Sequence, residues 1–226
     1  MQVDIQASPS FAMGTIRLGA GESVKVEAGA MAAMSGDVEI VTASQGGLLG
    51  GLKRSVLGGE SFFINTFTAT SGGEVAVAPK LPGDLIHLPL AGGAMFVQSG
   101  SWRASEPGVE VDTKWGGAKT FFSGEGLFLL RCSGAGDMLV SSYGAIIERQ
   151  LQPGEVVTVD TGHIVAFDEG VTYAVRKAGS WKSTILGGEG LVTDFTGPGR
   201  VWLQTRSTAD LIQWLTAHLP QPNNNG

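Results

Sequence analysis

The amino-acid sequence predicts an all-β fold in which one β-unit occurs three times, followed by one short C-terminal helix. The segment Leu57-Gly58-Gly59-Glu60 recurs as Leu186-Gly187-Gly188-Glu189 and, in altered form, as Phe122-Ser123-Gly124-Glu125. Residues 18–33 also match residues 151–166 without a gap. The copies are longer than the short repeats of solenoid proteins. We therefore predict that each copy is a β-motif in its own right.

A third copy lies between these two, where residues 95–113 align more weakly with residues 24–42. Three fused copies of one motif favour a single body with a shared core. We predict one domain over residues 1–206, with units at 11–79, 88–144 and 145–205.

Within each unit, apolar and polar side chains alternate with the period of a half-buried strand. Met13–Leu18 and Val24-Lys25-Val26-Glu27 show this alternation. Later in each unit, a glycine-rich turn separates two apolar runs, at residues 71–73, 134–136 and 197–199. Such turns are typical of hairpins, so we predict one β-hairpin in each unit.

The end of the chain departs from the β-pattern. Ser207 is a cap-type residue, and the apolar residues after it have helical spacing. We predict a helix within residues 207–219, stopped by Pro220, and a disordered tail at 220–226. We expect the helix to pack against its own sheet, with docking on a partner as the alternative. Its apolar stripe comprises Leu211, Trp214, Leu215 and Leu219.

The overall composition limits the classes of partner. Fifteen basic and 21 acidic residues give a net charge of −6, which opposes attraction to nucleic acid phosphates. We expect no specific nucleic-acid binding.

The first twelve residues lack a signal-peptide pattern, and no long apolar run is present. We expect a cytoplasmic protein, with peripheral membrane contact as an alternative.

Two arrangements of residues could hold a metal ion. Glu60, Glu125 and Glu189 could gather near a threefold axis and bind a hard cation, but a role in the turns explains them better. The segment around His163 is similar to the strand-turn sequence pattern of cupin barrels. The other two histidines have no ligand spacing relative to His163. We predict no metal site.

Catalytic and nucleotide-binding motifs are absent from the sequence. No nucleophile elbow is present, and the glycine-rich segment before Glu60 lacks the order of a P-loop. Cys132, the single cysteine, lies in an apolar run and is expected to be a buried, inert thiol. We predict no catalytic residue and no cofactor.

One loop differs in length from its counterparts. The glycine-rich segment of the first unit, at residues 46–56, is longer than the corresponding segments of the other two units. Insertions in repeat proteins often map to loops on the binding face. We predict a partner or membrane contact there, with an apolar plug of the β-body as the alternative. The contact residues would be Leu48, Leu49, Leu52, Lys53 and Arg54.

Three features of the sequence together suggest a family. They are the repeated Gly-Glu-x-Val-x-Val-x-x-Gly pattern, the glycine- and leucine-rich loop before Leu57, and the segment that starts at Gly162-His163. Over about residues 1–205 the chain resembles the altered inheritance of mitochondria protein 24 family. The resemblance implies a fold similar to that of the tryptophan RNA-binding attenuation protein, with strands in a double-stranded β-helix or sandwich-like body. The family is found mostly in bacteria. No catalytic residues come with it, and the fold alone does not transfer RNA binding.

We interpret the chain as a non-enzymatic β-scaffold that acts through protein or membrane-surface contacts. A small-ligand or metal-binding β-barrel with a cupin-like pocket is the alternative. Repeated β-units leave strand edges to be covered, and closed symmetric assembly covers them. We therefore expect a homo-oligomer, most simply a trimer, with an unidentified protein partner or a peripheral membrane surface.

The long loop yields a first prediction. Replacing Leu48 and Leu49 with Ser should leave the melting temperature nearly unchanged, because solvent-exposed side chains contribute little to stability. The same change should abolish co-sedimentation with liposomes or recovery of a partner. A large drop in melting temperature with binding unaltered would show that the loop is a plug.

Overall fold

The computed structural model describes residues 1–42, 62–112, 128–178 and 190–219. These residues form antiparallel β-strands and one C-terminal α-helix. The first part of the chain contains β1 (Gln2–Gln6), β2 (Met13–Leu18), β3 (Ser23–Glu27), β4 (Met31–Met34), β5 (Val38–Thr42), β6 (Ile64–Ala69) and β7 (Gly73–Val77). The middle part contains β8 (Leu85–Gln98), β9 (Trp102–Ser105), β10 (Val109–Asp112) and β11 (Leu129–Ser141). The last part contains β12 (Ile146–Leu151), β13 (Val156–Asp160), β14 (Ile164–Asp168), β15 (Thr172–Lys177), β16 (Leu191–Thr196), β17 (Gly199–Gln204) and helix α1 (Thr208–His218).

The same strand pairings occur in each part of the chain. In the first part, β7 lies between β2 and β4, and β6 lies between β3 and β5. In the last part, β17 lies between β12 and β14, and β16 lies between β13 and β15. The middle part has the same arrangement, but its long strands β8 and β11 each serve both sets of pairings. The all-β prediction is confirmed, while the unit boundaries at 11–79, 88–144 and 145–205 stay a prediction.

The predicted hairpins are wrong. Strands β6 and β7 pair with different neighbours, as do β16 and β17, and the two corresponding runs of the middle part form the single strand β11. The glycine-rich segments are therefore corners at which the chain passes from one set of strands to the next. Gly134 shows why glycine is needed, because its φ is +108° and a Cβ there would lie 2.4 Å from the carbonyl oxygen of Gly108.

The alternating pattern predicted for the strands is confirmed in β2. Its even-numbered side chains Ile16 and Leu18 are buried, while Arg17 between them is exposed. The core forms three hydrophobic clusters. The middle part of the chain contributes to all three clusters. Leu139 packs in the cluster formed with the first part of the chain, and Phe96 packs in the cluster formed with the last part. The three parts of the chain therefore share their hydrophobic interior.

Helix α1 begins where the sequence predicts. The Ser207 side chain accepts a hydrogen bond from the Asp210 amide, as an N-cap residue does. The expected packing of this helix against its own sheet is wrong, because none of its residues is buried and Trp214 is 58% exposed. Too few residues of the described chain approach α1 to bury its apolar stripe.

Candidate interaction edges

The three parts of the chain join through two short stretches of strand pairing, which we call seams. We use the name c-strand for β4, β9 and β14, and the name b-strand for β3, residues 94–98 of β8, and β13. In each seam a c-strand pairs antiparallel with the b-strand of the preceding part. The first seam pairs Ser105 with Lys25 and Ala104 with Val26. The second pairs Ala166 with Val97, Phe167 with Phe96 and Asp168 with Met95.

The c-strands share an irregularity that aligns them residue by residue. Each contains a register shift against the last strand of its own part. The shift falls between Met31 and Ala33 in β4, between Trp102 and Ala104 in β9, and between Ile164 and Ala166 in β14. Bulges of this kind fix the local twist and the direction of a strand. The backbone of β4 therefore has the irregularity of the two c-strands that form seams.

The first seam encloses a buried ion pair. The Arg103 guanidinium contacts the Glu27 carboxylate, and both residues are buried. Arg103 also donates hydrogen bonds to the Ser141 hydroxyl at 2.7 Å and to the Trp102 carbonyl oxygen at 3.3 Å. Burial lowers the pKa of Arg103 to about 10, so this side chain stays charged at neutral pH. The pair ties the b-strand of the first part to the c-strand of the second.

The second seam is aromatic instead of ionic. The ring centroids of Phe96 and Phe167 lie 5.1 Å apart, and those of Phe167 and Phe195 lie 4.9 Å apart. All three rings are buried. Aromatic contacts of this geometry stabilise a fold beyond the area that they bury. Two unlike sets of side chains thus stabilise the same backbone pairing.

The chain leaves one c-strand and one b-strand without a seam. Within the described residues, β4 pairs only with β7, and β13 pairs only with β16. All four side chains of β4 are exposed, whereas those of β9 are all buried. Met34 is 41% exposed and Val156, in β13, is 57% exposed. We call these two strands the open edges, since the positions that they occupy are covered by a seam elsewhere in the chain.

Other strand edges differ from the open edges. Strands β5 and β15 hold the same outer position in their parts of the chain, and each pairs with a single strand among the residues that the structure describes. Strand β12 is likewise at the end of its sheet. Unlike β4 and β13, these strands have no counterpart that forms a seam. No seam covers their positions elsewhere in the described chain, although β2, the counterpart of β12, also pairs with β1. The open edges, in contrast, occupy positions that a seam covers elsewhere.

The comparisons with known proteins support a family assignment. Residues 3–206 match the sequence profile of a family described as mitochondrial biogenesis AIM24. The chain belongs to the AIM24 family. An uncharacterised protein of Streptococcus pyogenes serotype M6 is 28% identical to this family member over 99% of this chain and 93% of its own length. An X-ray structure of a Streptococcus pyogenes protein matches with a TM-score of 0.79 and 27% identity, covering 96% of this chain and 99% of that one.

The residues singled out in the sequence are only partly placed by the structure. The contact residues Leu48, Leu49, Leu52, Lys53 and Arg54 lie outside the described residues, as do Glu60, Glu125 and Glu189. His163 lies in a 3-10 turn, where its Nδ1 is 2.7 Å from the carbonyl oxygen of Gln204. Cys132 is buried as predicted, and burial raises the pKa of its thiol to about 12. No group of three potential metal ligands occurs among the residues that the structure places.

A surface pocket of about 780 Å³ lies beside β2 and β3. Its charged side chains already have partners within the protein. The Arg17 Nε donates to the Glu74 carboxylate at 3.1 Å, the Glu22 carboxylate accepts from the Gly19 amide at 2.8 Å, and the Glu106 carboxylate accepts from the Asp137 amide at 2.8 Å. These groups maintain local structure and do not converge on the pocket as a ligand site would require.

The open edges were missed by the sequence analysis. Strand β4 was not predicted, although its residues fall within the match between 18–33 and 151–166. That match was the available signal, because it places Met31 to Ala33 opposite the first residues of β14. Only the observed pairings distinguish a covered c-strand from an open one.

The buried ion pair yields a second prediction. Replacing Glu27 with Gln should lower the free energy of unfolding by about 3–5 kcal/mol, because Arg103 would remain charged and buried without its partner. Denaturant titration measures this loss.

Lys80 provides the matched control, since its Nζ contacts the other oxygen of Glu27 at 3.2 Å from an exposed position. Replacing Lys80 with Ala should cost only about 0–1 kcal/mol, because the lysine is exposed and Glu27 keeps its contact with Arg103. Equal losses for the two variants would contradict the assigned role of the seam.

Proposed function

We propose that this protein is a non-enzymatic β-scaffold that acts through protein contacts made by its open edges. The observation that carries this proposal is the contrast between strands in equivalent positions. The side chains of β9 are all buried and those of β4 are all exposed, although both are c-strands with the same bulge.

An unpaired strand edge presents backbone N–H and C=O groups that can pair with another chain. Natural proteins commonly protect such edges with charged side chains, prolines or an overlying segment. Strand β4 is Met-Ala-Ala-Met and contains no charged residue or proline. Strand β13 begins with two valines and has a single charge, at its last residue, Asp160. These sequences favour edges that a polypeptide partner covers.

The chemistry of the described residues supports a non-enzymatic role. The Cys132 thiol is buried and has a strongly raised pKa, which disfavours the nucleophilic thiolate. His163 contacts a backbone carbonyl oxygen, and Arg103 is committed to the ion pair in the first seam. The charged side chains beside the surface pocket next to β2 and β3 are paired with other groups of the protein.

A membrane surface is a weaker candidate than a protein. No helix in the described part of the chain is both long and apolar enough to span a bilayer. The net charge of −6 opposes adsorption to anionic lipid. The β4 and β13 strands carry no basic residue that would attract lipid headgroups. Backbone pairing with a polypeptide uses the groups that these edges do present.

A pair of charge variants tests the proposal. Replacing Met34 and Val156 with Glu places a charge on each open edge, which should block strand pairing there. Chemical crosslinking in the native cell, followed by mass spectrometry, should then show loss of the crosslinked species that the wild-type protein forms.

The outer edges offer a matched control. Ile40 in β5 is 42% exposed and Ile147 in β12 is 54% exposed, so replacing both with Glu introduces the same charge at similar exposure. This control variant should keep the crosslinked species. Loss in both variants, or in neither, would contradict the proposal.

A further inference from the structure

We infer that the partner of each open edge is a second copy of this chain, with β13 of one copy pairing antiparallel with β4 of the next. This inference rests on the proposed function, since it names the partner of the same edges. It follows from the seams, because each joins the b-strand of one part to the c-strand of the following part. Among the described residues, β13 is the b-strand that pairs with no c-strand, and β4 is the c-strand that pairs with no b-strand.

The two seams make the same prediction for the register of this contact. Aligned through the bulges, Ala33 corresponds to Ala104 and Ala166, and Met34 corresponds to Ser105 and Phe167. In the b-strands, Val159 corresponds to Val26 and Val97, and Thr158 corresponds to Lys25 and Phe96. Transferring either seam to the open edges pairs Ala33 with Val159 and Met34 with Thr158. Two independent pairings therefore give one register.

The side chains at the open edges are compatible with this contact. Ala32 occupies the position that Arg103 holds in the first seam, so no arginine would be buried. Asp160 occupies the position of Glu27, and its carboxylate already accepts a hydrogen bond from the Gly162 amide at 2.8 Å. The contact would cover methionine, alanine and valine side chains without leaving a new unpaired charge.

The contact joins two different surfaces of the same chain, so it is heterologous. Each copy would use β13 toward one neighbour and β4 toward the other. Repetition of one such contact generates a closed ring if the rotation closes, and a filament if it does not. An isologous dimer, in which β4 pairs with β4, is a different arrangement that the experiment separates.

Mixing two variants, each with one introduced cysteine, tests the inference. One variant carries Met34→Cys and the other Thr158→Cys, and both positions are exposed in the single chain. Residues directly opposite each other in an antiparallel pair are close enough for a disulfide. Under a mild oxidant such as copper phenanthroline, two thiols lose two electrons and two protons to form the bond. Cys132 is buried and should not react.

The expected result is a disulfide-linked dimer on a non-reducing gel of the mixture, with no dimer from either variant alone. A mixture of Met34→Cys with Val156→Cys is the register control, since Val156 is two residues from the expected partner on the same face. Diagonal positions are about 7–8 Å apart, so at least about tenfold less dimer is expected from this control.

Three results would overturn the inference. A dimer from Met34→Cys alone would show that β4 pairs with β4. Equal yields from the Thr158→Cys and Val156→Cys mixtures would show that the register is wrong. No dimer in any mixture would show that the edges do not meet between copies. If the charge variants still remove crosslinked species from cells in that last case, the scaffold proposal stands with a different protein as partner.

Discussion

The structure depends on one repeated interaction, the antiparallel pairing of a c-strand with the b-strand of the part before it. The first seam is stabilised by the buried pair of Arg103 and Glu27, and the second by the contact between Phe96 and Phe167. The backbone pairing is the same although the side chains differ. The geometry of the strands therefore recurs, whereas different side chains stabilise it at each seam.

The middle part of the chain shows how the seams are connected. Strands β8 and β11 run through both sets of pairings, and the bend in β11 at Gly134 allows one strand to do so. Each of the three hydrophobic clusters draws residues from this part. The first and last parts each contribute to one seam, which leaves each with an open edge at the opposite side.

The sequence predicted the elements whose signals are local. Alternating side chains located β2 and β3, and a capping serine located the start of α1. The glycine-rich corners were misread as hairpins, because glycine with positive φ suits a tight turn and a bend between sheets equally well. The open edges could not be predicted, since Met31–Met34 and Trp102–Ser105 differ in exposure only through strands distant in sequence. The long loop with Leu48 and Leu49 lies outside the described residues.

The mass of the wild-type protein in solution tests the central claim most directly. A single chain has a mass of 23.4 kDa. If the seam continues between chains, static light scattering at micromolar concentrations should give a larger mass, which falls toward that of one chain on dilution. Once assembly is complete, a closed ring would give a fixed multiple of the single-chain mass, whereas a filament would give a mass that keeps rising with concentration. A constant 23.4 kDa over the whole micromolar range would contradict the account.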